Sequence, residues 1–140
     1  MTDDSDPYTV HDRLPDPETF ARLREVTGMS SRSREGIERG LPNSIHAAIA
    51  VHEPTGETVG MGRLVGDGGT VYQICDMAVH PDHQGRGIGT QIMERLEAYL
   101  EREAPPEAYV NLVADVDGFY EQFGYAELRP ASKGMHRWID

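Results

Sequence analysis

Between residues 45 and 79 the chain carries a period of two. Ile45, Ala47, Ile49 and Val51 alternate with His46, Ala48, Ala50 and His52, and a period of two predicts a strand with one face buried. The turn Glu53-Pro54-Thr55-Gly56-Glu57 leads to a second apolar run, Thr58 to Val65. Gly66-Asp67-Gly68-Gly69 leads to a third, Val71 to Val79. Three strands joined by short glycine-bearing turns predict an antiparallel meander. The period then changes. Ile88, Ile92, Leu96 and Leu100 recur at every fourth position, which is one face of a helix, and Pro105-Pro106 stops it. Tyr109 to Ala114 is a further apolar run. A strand–helix–strand unit places it parallel to Val71–Val79 by a right-handed crossover.

The flanking segments carry weaker patterns. Tyr8-Thr9-Val10 reads as a short edge strand. Asp16-Pro17-Glu18 is an aspartate cap with proline at the first helical position, opening a helix to Thr27 that Gly28 ends. Its apolar residues Phe20, Leu23 and Val26 are expected on one face. Ser33 to Arg39 predicts a second short helix, closed by Gly40 and Pro42, after the polar link Met29 to Arg32. Near the end, Asp117 is expected to cap a short helix through Phe123, and Met135 to Ile139 to form a last strand. Met1 to Asp6, with three aspartates and no apolar pattern, is expected to be a disordered tip. The expected fold class is α/β (α+β): a single domain over 1–140 with a central mixed, mostly antiparallel sheet flanked by helices.

Composition narrows the function. The 140 residues hold 24 acidic and 13 basic side chains, a net charge of −11, and Lys133 is the only lysine. That balance argues against nonspecific nucleic-acid binding, which needs a positive surface. Acidic excess with scarce lysine is also the composition of a protein from a high-salt cytoplasm, where screening suppresses self-repulsion. No run approaches the roughly 20 apolar residues of a membrane span. Met1 is followed by polar, acidic residues rather than a signal peptide, so a cytoplasmic location is expected. Cys75 is the single cysteine, which excludes an internal disulfide, and its mid-strand position reads as core.

The chemistry gathers between the third strand and the long helix, in Val-His-Pro-Asp-His-Gln-Gly-Arg-Gly-Ile-Gly-Thr, residues 79–90. The first N–H groups of a helix have no partner inside it, and the macrodipole adds positive potential there. Gly85, Gly87 and Gly89 remove the Cβ atoms that would hold a phosphate away from those groups. The loop is therefore an anion cradle. The dinucleotide fingerprint fails because the third glycine arrives one residue early, and the P-loop fails because no lysine is present. Gln84-Gly85-Arg86-Gly87-Ile88-Gly89 resembles the Gln/Arg-x-x-Gly-x-Gly/Ala signature of the GNAT acyltransferase superfamily. Met77-Ala78-Val79-His80-Pro81 is similar to that family's fourth strand and its exit. The resemblance implies that the loop holds the pyrophosphate of coenzyme A, with acetyl-CoA as acyl donor. The implied contacts are Met77, Ala78, Val79, Gln84, Gly85, Arg86, Gly87, Ile88, Gly89 and Thr90. It also implies the β4–α3–β5 crossover of the GNAT fold, here from the strand Val71–Val79 through the helix that follows it to the strand Tyr109–Ala114.

Phe119-Tyr120-Glu121-Gln122-Phe123-Gly124-Tyr125 resembles the family's Phe-Tyr-x-x-x-Gly-Phe element. By that resemblance Tyr120 protonates the departing thiolate, while Phe119 and Phe123, at i and i+4, read as core. One position departs from the family pattern: Val113 stands where many members carry an asparagine for the pantetheine arm, and neither Asn111 nor Asp115 aligns with it. Asp76 is the one carboxylate in its apolar strand. It is a candidate base or amine binder if burial raises its pKa, or a structural carboxylate paired with Arg63. His80 and His83 lack a third ligand at matching spacing, so no metal is assigned and both read as solvated turn residues.

The expected function is N-acetylation of a primary amine, of a small molecule, by direct attack on acetyl-CoA in a ternary complex. By the family resemblance, the end of the third meander strand, around Met77 to Val79, would supply the N–H group for the oxyanion. Acetylation of a protein N-terminus or lysine, and a non-catalytic acyl-CoA sensor, are the alternatives. The family resemblance also admits a homodimer. No nucleic-acid or membrane partner is expected.

Overall fold

The computed structural model describes residues 6–139; apart from Asp6, the segment expected to be a disordered tip lies outside them. Its elements are β1 (Tyr8–His11), α1 (Pro17–Val26), α2 (Arg34–Gly40), β2 (His46–His52), β3 (Glu57–Gly66), β4 (Val71–Val79), α3 (Ile88–Glu103) and β5 (Tyr109–Leu112), with three single-turn 3-10 segments. The strands form one sheet in the order β1-β2-β3-β4-β5. The first three pairings are antiparallel and β4–β5 is parallel, as a crossover through α3 requires. The result is the architecture that the resemblance implies: a five-stranded mixed sheet with α3 on one face and α1 and α2 on the other.

Each face has its own core. Ile88, Ile92, Met93, Leu96 and Leu100 of α3 pack on Ala48, Ala50, Val59, Leu64, Tyr72 and Ile74. Phe20 and Leu23 of α1 pack with Ile37 of α2 and Leu41 on Ile49, Val51, Met61 and Ala78. Gly60 and Gly62 face α3, and a Cβ at Gly62 would collide with Met77 and Ile92. Small residues there let the helix lie close to the sheet.

Four expectations need correction. Val26 is exposed, and Arg24 takes its place on the buried side of α1. A helix advances 100° per residue, so a threefold spacing drifts off the face while Phe20, Leu23 and Arg24 stay on it. β5 stops at Leu112 instead of Ala114. The helix expected from Asp117 is one 3-10 turn, Tyr120–Phe123, and Asp117 does not cap it. The strand expected over Met135–Ile139 is absent among the described residues, and these side chains are exposed; five residues with no neighbouring strand to pair with do not make a strand on pattern alone.

Candidate active site

The site begins with a fault in the sheet. Between Met61↔Ala78 and Arg63↔Cys75 the register shifts, so β4 carries one residue more than β3. This bulge sits at Asp76, whose φ of 59° is left-handed, a conformation that aspartate tolerates better than most residues. It reverses the strand's alternation. Tyr72 and Ile74 face α3, whereas Ala78 faces α1 and α2. On the other side, pairing with β5 ends at Ile74↔Leu112. From Cys75 to Val79 the strand therefore has β3 on one side and no strand on the other.

The open side presents backbone donors. The N–H of His80 donates to the Val59 carbonyl at 2.8 Å, so by strand alternation the N–H of Val79 points away from β3. The Val79 carbonyl is already engaged: the Gln84 amide donates to it at 3.0 Å. That bond folds the loop after β4 back onto the strand end.

The loop then turns through Gly85 (φ 77°) and Gly87 (φ 78°) into α3. Neither glycine has an atom within 4 Å of where a Cβ would stand. Backbone conformation, not crowding, demands glycine there. Gly87 caps α3 without a side-chain hydrogen bond, and no acidic residue occupies the first turn. The leading N–H groups of a 16-residue helix are thus left for a ligand. Ile88 is buried, so it can offer only its backbone, while Gln84, Gly85, Arg86 and Gly87 are exposed and Gly89 and Thr90 half-buried. The Arg86 guanidinium lies 5.9 Å above the Tyr8 ring and has no carboxylate partner among the described residues. Uncapped N–H groups, left-handed glycines and a free guanidinium fit a pyrophosphate.

The second motif is fastened to the same helix. A Cβ on Gly89 would stand 3.5 Å from the Phe119 ring, so Phe119 lies on the first turn of α3. The Tyr125 hydroxyl donates to Glu97 at 2.5 Å, two turns along. Burial first, then the Glu97 carboxylate, raises the Tyr125 pKa far above its usual range. Between these anchors the Tyr120 ring is buried among the α3-side core residues. Its hydroxyl makes no hydrogen bond among the described residues, and it is not sealed from solvent. Burial, with a contribution from Asp115, raises the Tyr120 pKa above 10, so the phenol keeps its proton at neutral pH. It faces a cleft of about 490 Å³ between β5 and the segment after Gly124. Phe119 and Phe123 pack against the core.

Asp76 does not join this arrangement. It lies toward α1, where Arg24 donates to Oδ1 and Arg63 to Oδ2, each at 2.5 Å. Arg24 is itself buried and ties the link after α1 by donating to the Ser30 carbonyl through Nε and Nη2. With both oxygens held by guanidinium groups, Asp76 lacks the free carboxylate that a base or amine binder needs; of the two readings, the pairing with Arg63 matches the geometry. Sequence reasoning missed Arg24, although it follows Phe20 by four residues and so shares its buried face. Asn111 is engaged by Gln73, whose amide donates to it at 3.1 Å across β4–β5. Cys75 is half-buried beside Asp76, and burial pushes its thiol up to about 12.

The histidines also differ from expectation. His83 Nδ1 is 2.7 Å from the Tyr8 hydroxyl, and its ring packs 4.8 Å from that of His52. His80 accepts from the Asp82 N–H at 3.1 Å and so caps the 3-10 turn. Both are half-buried, and they brace the base of the loop.

Comparison with known proteins bears on the fold and the family. The family model for an acetyltransferase (GNAT) domain matches residues 43–127. A probable acetyltransferase from meticillin-resistant Staphylococcus aureus superposes with a TM-score of 0.88 at 37% identity, covering 94% of this chain and 99% of that one. A GNAT family acetyltransferase from Streptococcus pneumoniae gives a TM-score of 0.74 at 27% identity, covering 95% and 98%. In sequence, the chain is 32% identical over 120 residues to serotonin N-acetyltransferase 2 of rice, a chloroplastic protein; the match covers 84% of this chain and 58% of the rice protein's length. An uncharacterised N-acetyltransferase of the red alga Pyropia yezoensis matches at 28% over 116 residues, 81% of this chain and 67% of that protein. GNAT acetyltransferases take their acyl group from acetyl-CoA, and with the model matching most of the chain, cradle included, this protein belongs to the GNAT acetyltransferase family.

Proposed function

We propose that the protein is an N-acetyltransferase that moves the acetyl group of acetyl-CoA to a primary amine of a small molecule, by direct attack in a ternary complex. One observation carries the reading: the uncapped N-terminus of α3 stands after the half of β4 that has lost β5, and Phe119, the neighbour of Tyr120, packs near the first turn of that helix. The N-acetyltransferase names of the rice and algal relatives support the same chemistry.

Bound acetyl-CoA supplies the acetyl group as a thioester. Gln84, Gly85, Arg86, Gly87, Ile88, Gly89 and Thr90 would hold its pyrophosphate, mainly through backbone N–H groups. Met77, Ala78 and Val79 would align the amide-bearing arm as an added strand, and the Val79 N–H would stabilise the oxyanion. The amine nitrogen bonds to the carbonyl carbon, the C–S bond breaks, and Tyr120 gives its Oη proton to the thiolate. Asp76 serves as an anchor for α1; the incoming ammonium loses one proton to water before the attack, and the second nitrogen proton, released as the amide forms, passes through water to restore the Tyr120 phenol.

Thermal unfolding with acetyl-CoA, coenzyme A and NADH added separately tests the cradle. Acetyl-CoA or coenzyme A at about 100 times its Kd stabilises by about 2.7 kcal/mol, a shift of several degrees, and NADH gives none. Failure of both coenzyme A species to shift the midpoint would overturn the reading. Binding without thiol release across a broad amine panel would make the protein an acyl-CoA sensor.

A further inference from the structure

Five arginines lie between residues 22 and 39, and four have a carboxylate. Arg22 pairs with Glu57 at 3.6 Å, Arg24 with Asp76 at 2.5 Å, Arg34 with Glu38 at 2.7 Å, and Arg39 with Glu35. Arg32 has none among the described residues. Its Nη1 reaches only oxygens of its own link, Ser30 Oγ at 2.9 Å and the Ser31 carbonyl at 3.2 Å, and its guanidinium lies 5.1 Å over the Trp138 ring. Arg32 is thus the one arginine of this stretch without a carboxylate among the described residues.

Arg32 borders a hollow of about 250 Å³ between α1, α2 and β3. Phe20, Ile37 and Leu41 give it an apolar floor, and Ser33 and Arg63 complete its polar wall. No carboxylate lines it. Arg63 spends Nε on Asp76 and Nη1 on Ser44 Oγ at 3.0 Å, while Nη2 donates to nothing among the described residues. Two guanidinium groups thus face an acid-free hollow with donors to spare. The hollow also adjoins the open half of β4: Arg63 is bonded to Asp76 at the bulge, and Phe20, Ile37 and Leu41 pack in one cluster with Ala78.

We propose that this hollow receives a carboxylate of the acceptor, so that the amine acetylated here belongs to a small molecule with an acid group on a hydrocarbon stem. The proposal rests on the acetyltransferase reading and names the acceptor class. Arg32 can meet a carboxylate with the two N–H donors of a planar guanidinium edge, Arg63 adds its free Nη2, and the apolar floor covers the stem. An amine without the acid would leave both guanidinium groups unanswered and bring its own positive charge toward them.

Calorimetry with 4-(aminomethyl)benzoate and benzylamine, which share the amine and differ by the carboxylate, tests this without acetyl-CoA or turnover. The expected result is at least tenfold tighter binding of 4-(aminomethyl)benzoate. Arg32→Met should bring the two within about twofold, and Arg32→Lys should restore part of the preference. Both variants change an exposed side chain, and unchanged melting points check that they fold. Equal binding of the two compounds, binding of neither, or a preference that survives Arg32→Met would each overturn the proposal. Loss of acetyl-CoA binding would defeat the acetyltransferase reading instead, because the carboxylate preference is read in its absence.

Discussion

The two halves of β4 are made of similar residues and live in different surroundings. Val71 to Ile74 lie between two strands, β3 and β5, and every pleat alternates regularly. Cys75 to Val79 keep only β3, begin with a bulge at Asp76, and present an unpaired edge beside the cradle. The closed half does what a central strand does, satisfying its backbone and burying its side chains. The open half leaves backbone donors unsatisfied by protein, a cost that a ligand can offset by pairing with them. What separates the halves is one extra residue and the early end of β5.

The largest test of that contrast is at the bulge. Asp76 is buried between Arg24, also buried, and Arg63, mostly so. Asp76→Ala would leave two guanidinium groups without their carboxylate and put alanine at a positive φ. Breaking such a buried arrangement costs about 3–5 kcal/mol, seen as a large fall in the thermal midpoint. Asp76→Asn keeps the backbone tolerance and loses the charge, so its loss should be smaller but still clear. A catalytic base would behave the other way. Asp76→Asn would then abolish turnover and leave the midpoint in place.

Tyr120→Phe comes next and separates chemistry from binding. The ring stays and only the hydroxyl, which has no protein partner among the described residues, is removed. We expect kcat to fall about 100-fold with the Kd for acetyl-CoA unchanged, read by single-turnover thiol release and calorimetry. Because burial raises the Tyr120 pKa above 10, the acid form persists from pH 6 to pH 9. Any activity limb in that range belongs to another group.

Gly87→Ala acts on the cradle alone. An alanine Cβ would meet no protein atom within 4 Å, but φ is 78°, and an L-residue pays about 1–2 kcal/mol there. The expected outcome is roughly tenfold weaker acetyl-CoA binding with little change in kcat at saturation. Wild-type affinity would show that the cradle does not depend on its left-handed turn.

How much of this was legible in the sequence follows from locality. The meander, α3 and the cradle are encoded by short-range signals: periods of two and of about four, and glycines at the turns. They emerged within a residue or two. The bulge was not legible, because it is a relation between β3 and β4 that neither strand's pattern contains. Misplacing it left Asp76 as a candidate base, since without the bulge its face is unknown and Arg24, 52 positions away, is not an evident partner. The tail after Gly124 failed for the opposite reason. Met135 to Ile139 has strand-like composition, but strand formation depends on a partner edge, and composition does not supply one.

The smallest expected effect concerns His83, at the base of the loop. Burial first, then repulsion from His52, His80 and Arg86, lowers its pKa below the usual 6.5, while Asp82 opposes the shift. Below pH 6.5 the unfolded chain therefore binds this proton more readily than the folded one. Stability should rise as pH climbs through the window from the lowered pKa to 6.5, and His83 should add no further slope above it. Urea unfolding midpoints from pH 5 to pH 7.5, compared between wild type and His83→Gln, isolate that slope from other titrations. His83→Gln should flatten the curve below 6.5. It should also weaken the Tyr8 bond at 2.7 Å, lowering the plateau slightly. Identical slopes would mean that His83 accepts a proton as freely as in the unfolded chain, and that the loop's base is far wetter than the packing of Tyr8, His52 and His83 implies.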